Sequence, residues 1–169
     1  GMQMSEYDLV GIGNAMVDVL ATVDDAFLEE QTLDKGAMTL VDIDRASEIY
    51  AKMPPAQEVS GGSCGNTMAG FASLGGKGVF IGKVRDDQLG DVFRRDMKSI
   101  GVDFFTPATT EGPQTGSCLV LITPDAQRTM CTNLGAASNL TPKDIDKDII
   151  QAAKVVYMEG YLLSLIHIS

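Results

Sequence analysis

Tryptophan is absent from this chain, and histidine occurs once, as His167 among the last three residues. A Ser-His-Asp or Cys-His hydrolase needs an imidazole in the body of the fold. Zinc enzymes ordinarily use one or more as ligands. Neither chemistry can be assembled here. The three cysteines, Cys64, Cys118 and Cys131, are odd in number and far apart. They make neither a CxxC metal site nor a disulfide framework, which points to a reducing, cytoplasmic setting. Cys118 and Cys131 read as two buried free thiols on facing strands rather than a bridge. No apolar run is long enough to span a bilayer, and the first residues lack the basic and apolar regions of a signal peptide. No G-x-x-x-x-G-K-[ST] run occurs, so a Walker-type phosphate loop is excluded within the chain. Lys and Arg form no block, and the formal net charge is −10. Both facts argue against nucleic acid and against an anionic membrane surface as partners.

What remains is an ordinary globular composition, 44% apolar and 21% charged over 169 residues, enough for one domain with a real core. Residues 7–13 (YDLVGIG) read as a buried first strand, and 17–23 as a second extended piece. Asp24 and Asp25 open a short helix to residue 30. Residues 37–41 form another short strand. Asp42 caps a helix over 43–53, which Pro54 and Pro55 end, with Ile43, Ala46, Ile49, Tyr50 and Met53 as its buried stripe. A helix is expected over 65–74 with Gly75 as its stop, then a strand over 79–84. Asp86 or Asp87 caps the next helix, which Gly101 ends. Residues 117–122 and 128–133 flank Thr123-Pro124-Asp125-Ala126-Gln127, a hairpin signature. Thr141-Pro142-Lys143-Asp144 starts a helix expected to reach residue 153. Residues 155–159 read as a further buried strand. Strands alternating with helices predict an α/β domain with a largely parallel sheet, and the short early strands and the hairpin predict a small β-rich flap added to it.

Gly61-Gly62-Ser63-Cys64-Gly65-Asn66 is the densest motif. Adjacent glycines let backbone approach a ligand closely, and an amide side chain then stands at a helix start. The bland alternative is a strand-to-helix turn in which the glycines only relieve strain. Gly11-Ile12-Gly13-Asn14-Ala15-Met16 follows a strand, but a dinucleotide fingerprint fails at its third glycine, where Met16 stands. Asn14 and Asp18 lie just past the first strand, where open α/β sheets place ligands. A carboxylate there can accept two hydrogen bonds from a vicinal diol, though turn chemistry accounts for both residues equally well. Glu159 is an acid at the end of an apolar strand, open to a functional or a turn-capping role. Arg128 is open to being surface charge or orienting the flap. The functional reading needs Asn14, Asp18 and Asn66 to converge on one pocket.

These segments resemble the pfkB family of kinases, the group that holds ribokinase, fructokinase and adenosine kinase. The matching runs are GIGNAMVDVL (11–20), VSGGSCGNTMAGFASLGGKGVFIGKVRDDQLGDVF (59–93), TGSCLVLITPDAQRTMCTNLGAASNLT (115–141) and VYMEGYL (156–162). Asn14 followed four residues on by Asp18 is closer to the adenosine kinase pattern than to that of ribokinase. The resemblance implies a Rossmann-like, ribokinase-type three-layer α/β domain with a small β-sheet lid, shortened on its C-terminal side. Residues 1–163 would be the N-terminal part of that single domain, with lid strands near 15–23, 37–41 and 117–133. By residue-wise match, Asp18 would bind ribose-type hydroxyls with Asn14 beside it. Gly61, Gly62 and Asn66 would line the pocket, and Glu159 would approach the sugar from another strand.

The implied chemistry is phosphoryl transfer from ATP, with Mg²⁺, to a hydroxymethyl group of a nucleoside or sugar. The family's G-A-G-D signature carries the general-base Asp and an anion hole, and no such run occurs in these 169 residues. The expectation is therefore an acceptor-binding part, with no catalytic residue of its own, no resident metal, and ATP and Mg²⁺ sites mostly elsewhere. The lid is a candidate homodimer surface. Residues 164–169 follow a strand without cap or stop, and read either as a tail foreign to the natural protein or as a short native apolar tail.

Overall fold

In the computed structural model, which describes residues 6–159, the chain runs β1 (Tyr7–Ile12), β2 (Met16–Thr22), α1 (Asp25–Glu30), β3 (Met38–Leu40), α2 (Ile43–Lys52), β4 (Gln57–Gly61), α3 (Ser63–Ser73), β5 (Gly78–Ile81), α4 (Gln88–Ser99), β6 (Val102–Phe104), β7 (Gly116–Ile122), β8 (Arg128–Asn133), α5 (Lys147–Gln151) and β9 (Ala153–Met158). Local chemistry sets several boundaries. Asp24, Asp42 and Asp87 stand extended before α1, α2 and α4, and each carboxylate accepts the amide three residues on, at 2.9, 2.8 and 2.8 Å. These bonds satisfy helix N–H groups that have no partner inside the helix. Gly75 and Gly101 follow α3 and α4 at φ +88° and +81°, the left-handed region where a helix stops cheaply at glycine.

The strands form two sheets. The first is parallel throughout, in the order β6-β5-β1-β9. The second is the expected flap, in the order β3-β8-β7-β2-β4, with β2 and β7 parallel and β2 and β4 antiparallel. The mixed α/β fold with a β-sheet lid is thus as the resemblance implied. One cluster unites the sheets: Val17, Val19, Leu119, Leu121 and Cys131 of the lid join Leu28, Ile49, Met68, Phe80, Phe93 and Met97. Phe93 sits at its centre, 5.3 Å from the ring centroids of both Phe80 and Phe104. A smaller cluster of Val10, Ile12, Val79, Ile81 and Leu140 fills the other face of the parallel sheet.

The structure corrects several expectations. The glycine cluster is preceded by a strand, β4, and α4 is followed by another, β6, neither of them among the expected strands. The single helix expected over 141–153 is a 3-10 turn (Pro142–Asp144) and a separate α5. Asp146 breaks it, because its carboxylate caps Asp148 N at 2.9 Å. Ile43 and Tyr50 are not in the buried stripe of α2; they are 37% and 38% exposed. β9 is not buried either: Val155 is 58% exposed, since no strand lies beyond β9 among the described residues. Cys118 is half-buried, and it lies beside Cys131 with the opposite facing, as Cys118 pairs with Thr132 and Cys131 with Leu119. All three thiols are free. The tail 164–169, with His167, lies outside the described residues.

Phe93→Ala should lower the free energy of unfolding by about 3–5 kcal/mol, because it removes a fully enclosed ring. Leu74→Ala, at a position 87% exposed, should change it by less than about 0.5 kcal/mol. Urea unfolding of the two variants checks this, and equal losses would contradict the core described above.

Candidate acceptor site at the junction of the two sheets

β1 ends at Ile12 and β2 begins at Met16, so only Gly13, Asn14 and Ala15 carry the chain from the parallel sheet into the lid. Each step of this crossover is held. Gly13 N donates to the Ile81 carbonyl at 3.0 Å. Asn14 N donates to Glu159 Oε1 at 3.0 Å. Glu159 N donates back to the Ile12 carbonyl at 3.1 Å. Asn14 is buried.

The second half of the junction comes from β4 and α3. Pairing of β2 with β4 sets Met16 opposite Gly61 and Asp18 opposite Val59. A Cβ on Gly61 would overlap the Asp18 carboxylate, so the carboxylate lies directly against that backbone. Gly62 has φ +82°, a conformation that favours glycine, and a Cβ there would lie 3.0 Å from the Asn14 carbonyl. Gly62 also opens α3. No side chain caps that helix start, which leaves first-turn N–H groups available to a ligand oxygen. Asn66 is bound to this turn through its amide, which donates to the Gly62 carbonyl at 3.0 Å, and it is exposed.

Asn14, Asp18, Gly61 and Gly62 therefore meet at one junction, and Asn66 lies one turn into α3 from the glycine pair, tied to Gly62 by its backbone N–H alone. Glu159 reaches it from the end of β9, but one of its oxygens is already engaged by Asn14 N. Arg128 stands apart, exposed at the hairpin end of β8. Asp87 is the helix cap it was read to be. Asp18 is half-buried, and among the described residues no group donates a hydrogen bond to it. Burial pushes its carboxyl above the usual range. Burial, and then the Glu159 charge, push the Cys64 thiol up to about 12, so it is no nucleophile at neutral pH.

Sequence reasoning missed the surface around Asp18. Across the lid, Asp18 is in register with Cys118, Cys118 with Thr132, and Thr132 with Leu40. Leu20, Ile122, Met130 and Met38 lie on the same face by strand alternation. Leu40 and Met38 are 71% and 61% exposed, so the face is open at its β3 edge; Val120 is buried on it, and Gln57 and Arg128 stand on it near the Leu20 and Ile122 ends. The signal was present as period-two alternation in β2 and β7, but only the register assigns its two faces.

Among the described residues, no group of three or more His, Cys, Asp or Glu side chains could hold a metal ion, and no helix is long and apolar enough to cross a membrane. Residues 10–167 match the pfkB family of carbohydrate kinases. The chain belongs to that family. It is 32% identical over 166 residues to adenosine kinase of Saccharomyces cerevisiae, covering 92% of this chain and 48% of that protein. It is 28% identical over 163 residues to guanosine-inosine kinase of Escherichia coli, covering 92% of this chain and 37% of that protein. The crystal structure of adenosine kinase from Sinorhizobium meliloti superposes with a TM-score of 0.81 at 48% identity, covering 96% of this chain and 50% of that one. The chain thus spans half or less of the length of these relatives.

A carboxyl whose proton is held more tightly when folded costs stability once it ionises, and that cost is absent below the unfolded-state pKa. Asp18→Asn should therefore raise the Tm at pH 7, with the gain shrinking to nothing as pH falls below about 4. Gly61→Ala should destabilise by about 1–3 kcal/mol, because the added methyl collides with the carboxylate. Thermal melts across pH check the first, and urea unfolding the second.

Proposed function

We propose that the chain carries the acceptor-binding part of an ATP-dependent kinase that phosphorylates a hydroxymethyl group of a ribose-containing nucleoside. The observation that carries this reading is the Asp18 carboxylate, half-buried against Gly61 with no donor among the described residues. A vicinal diol supplies two O–H donors, which match the acceptor capacity of an ionised carboxylate. The apolar lid face around it, with Leu20, Met38 and Leu40, suits a flat base better than a bare sugar ringed by hydroxyls. Similarity to nucleoside kinases from yeast and two bacteria agrees with this choice.

In this reading Asn14 and the first turn of α3, through Gly62 and Asn66, complete the polar side of the pocket. Lid strands β2, β7 and β8 exclude water from the acceptor, which protects ATP from hydrolysis. ATP and Mg²⁺ enter as the family's co-substrate and metal. The described residues offer no cluster of three or more side chains for that ion. The chain holds no Gly-Ala-Gly-Asp run, so the general base that takes the hydroxymethyl proton is supplied from outside these residues. A binding fragment without turnover is the second reading, favoured by that missing run and by the half-length match. Pairing of two copies through the open lid is compatible with either.

Calorimetry should detect adenosine binding that exceeds ribose binding, and Asp18→Ala should weaken it about 10–100-fold, the worth of hydrogen bonds to a charged group. Tighter binding of ribose or fructose than of adenosine would replace the nucleoside by a bare sugar. Unchanged affinity in the variant would remove Asp18 from the pocket.

A further inference from the structure

We propose that Glu159 is a positioning residue, a latch that fixes the Gly13–Ala15 crossover, rather than a ligand of the acceptor. Three observations at one point carry this. The carboxylate accepts Asn14 N at 3.0 Å, while the backbone of the same residue donates to Ile12 at 3.1 Å. Glu159 thus grips the crossover on both sides of Gly13. Gly13 itself has no room for a side chain, since a Cβ there would overlap Glu159 Oε1 and the Cys64 side chain. The close fit shows that the carboxylate, Cys64 and the Gly13 backbone are packed as one unit. The next residues, Asn14 to Asp18, are the ones that face the glycine pair.

The physical consequence falls on Asp18. Gly13–Ala15 lead directly into β2, whose third residue is Asp18, so an unsatisfied amide at Asn14 would loosen the backbone just ahead of that carboxylate. A half-buried N–H without a partner also costs free energy of its own. The latch comes from the end of β9, an edge strand of the parallel sheet among the described residues. The order of that strand is thereby transmitted to the acceptor site without any contact between Glu159 and the acceptor.

The inference rests on the acceptor reading only for its functional arm. Amide hydrogen exchange on the wild-type chain tests the latch without a ligand: Asn14 N–H should exchange at least about 10-fold more slowly than an open loop amide. Glu159→Ala should abolish that protection, and Glu159→Gln should retain it, because the amide oxygen still accepts. In calorimetry with adenosine, Glu159→Ala should lose about 10-fold in affinity and Glu159→Gln should stay within about 3-fold of wild type. An unprotected Asn14 amide in the wild-type chain would overturn the latch, whether or not any variant folds. Glu159→Gln that binds as poorly as Glu159→Ala, with Asn14 protection intact, would make Glu159 a direct ligand instead. If no nucleoside or sugar binds at all, the acceptor reading fails, while the exchange result still decides the latch.

Discussion

The contact on which the rest depends is the Asp18 carboxylate lying on the backbone of Gly61. It requires a glycine, because any Cβ would occupy the carboxylate's place. It also requires β2 and β4 to pair in one register, with Met16 against Gly61, since a slip by one residue would turn Asp18 to the core face. And it comes with burial, which leaves the acid costly when charged, with no donor to it among the described residues. A group held in that state is not a stabilising feature of the fold. Such local costs concentrate where a ligand repays them.

The two sheets divide the work. The parallel sheet supplies the frame: β5 is buried along its length and β1 over its second half, and its ends fix the crossover residue by residue. The lid, in the proposed reading, supplies the acceptor-facing acid. One face completes the shared core through Val17, Val19, Leu119 and Leu121, and the other presents an acid within an apolar field. β4 ties the lid down, because Ser60 N donates to Asp96 of α4 at 2.7 Å and Glu58 bonds Gln88 at 3.1 Å. Tyr50 of α2 closes on the same Glu58. That contact, added to burial, pushes the Tyr50 phenol up to about 12. Junction geometry is therefore held from α3, α4, β5 and β9 together.

Much of this was legible in the sequence where the cause is local. Asp24, Asp42 and Asp87 announced their helices because a short acidic side chain bonds backbone three residues away. The 123–127 hairpin and the glycine stops follow from backbone conformation alone. The candidate residues Asn14, Asp18, Gly61, Gly62 and Asn66 were named on motif and resemblance, and the fold brings the first four together. What stayed hidden depends on partners distant in sequence. β4 is a polar run, Gln57–Gly61, and is a strand only because β2 lies beside it. Val155 is exposed because no strand flanks the outer side of β9 among the described residues, which no pattern within 155–159 could convey. Asp146 split a helix that Thr141 and Pro142 had started correctly. The engagement of Glu159 with Asn14 spans 145 positions, so strand-end logic found the acid and missed its partner.

Amide chemical-shift mapping by NMR, with adenosine titrated into the isotope-labelled chain, tests the central claim most directly. The account predicts saturable shifts concentrated at residues 14–18 and 61–66 and along 118–120, with α5 and the 123–127 turn unmoved. Saturable shifts confined to any other surface, with 14–18 and 61–66 silent, would contradict it.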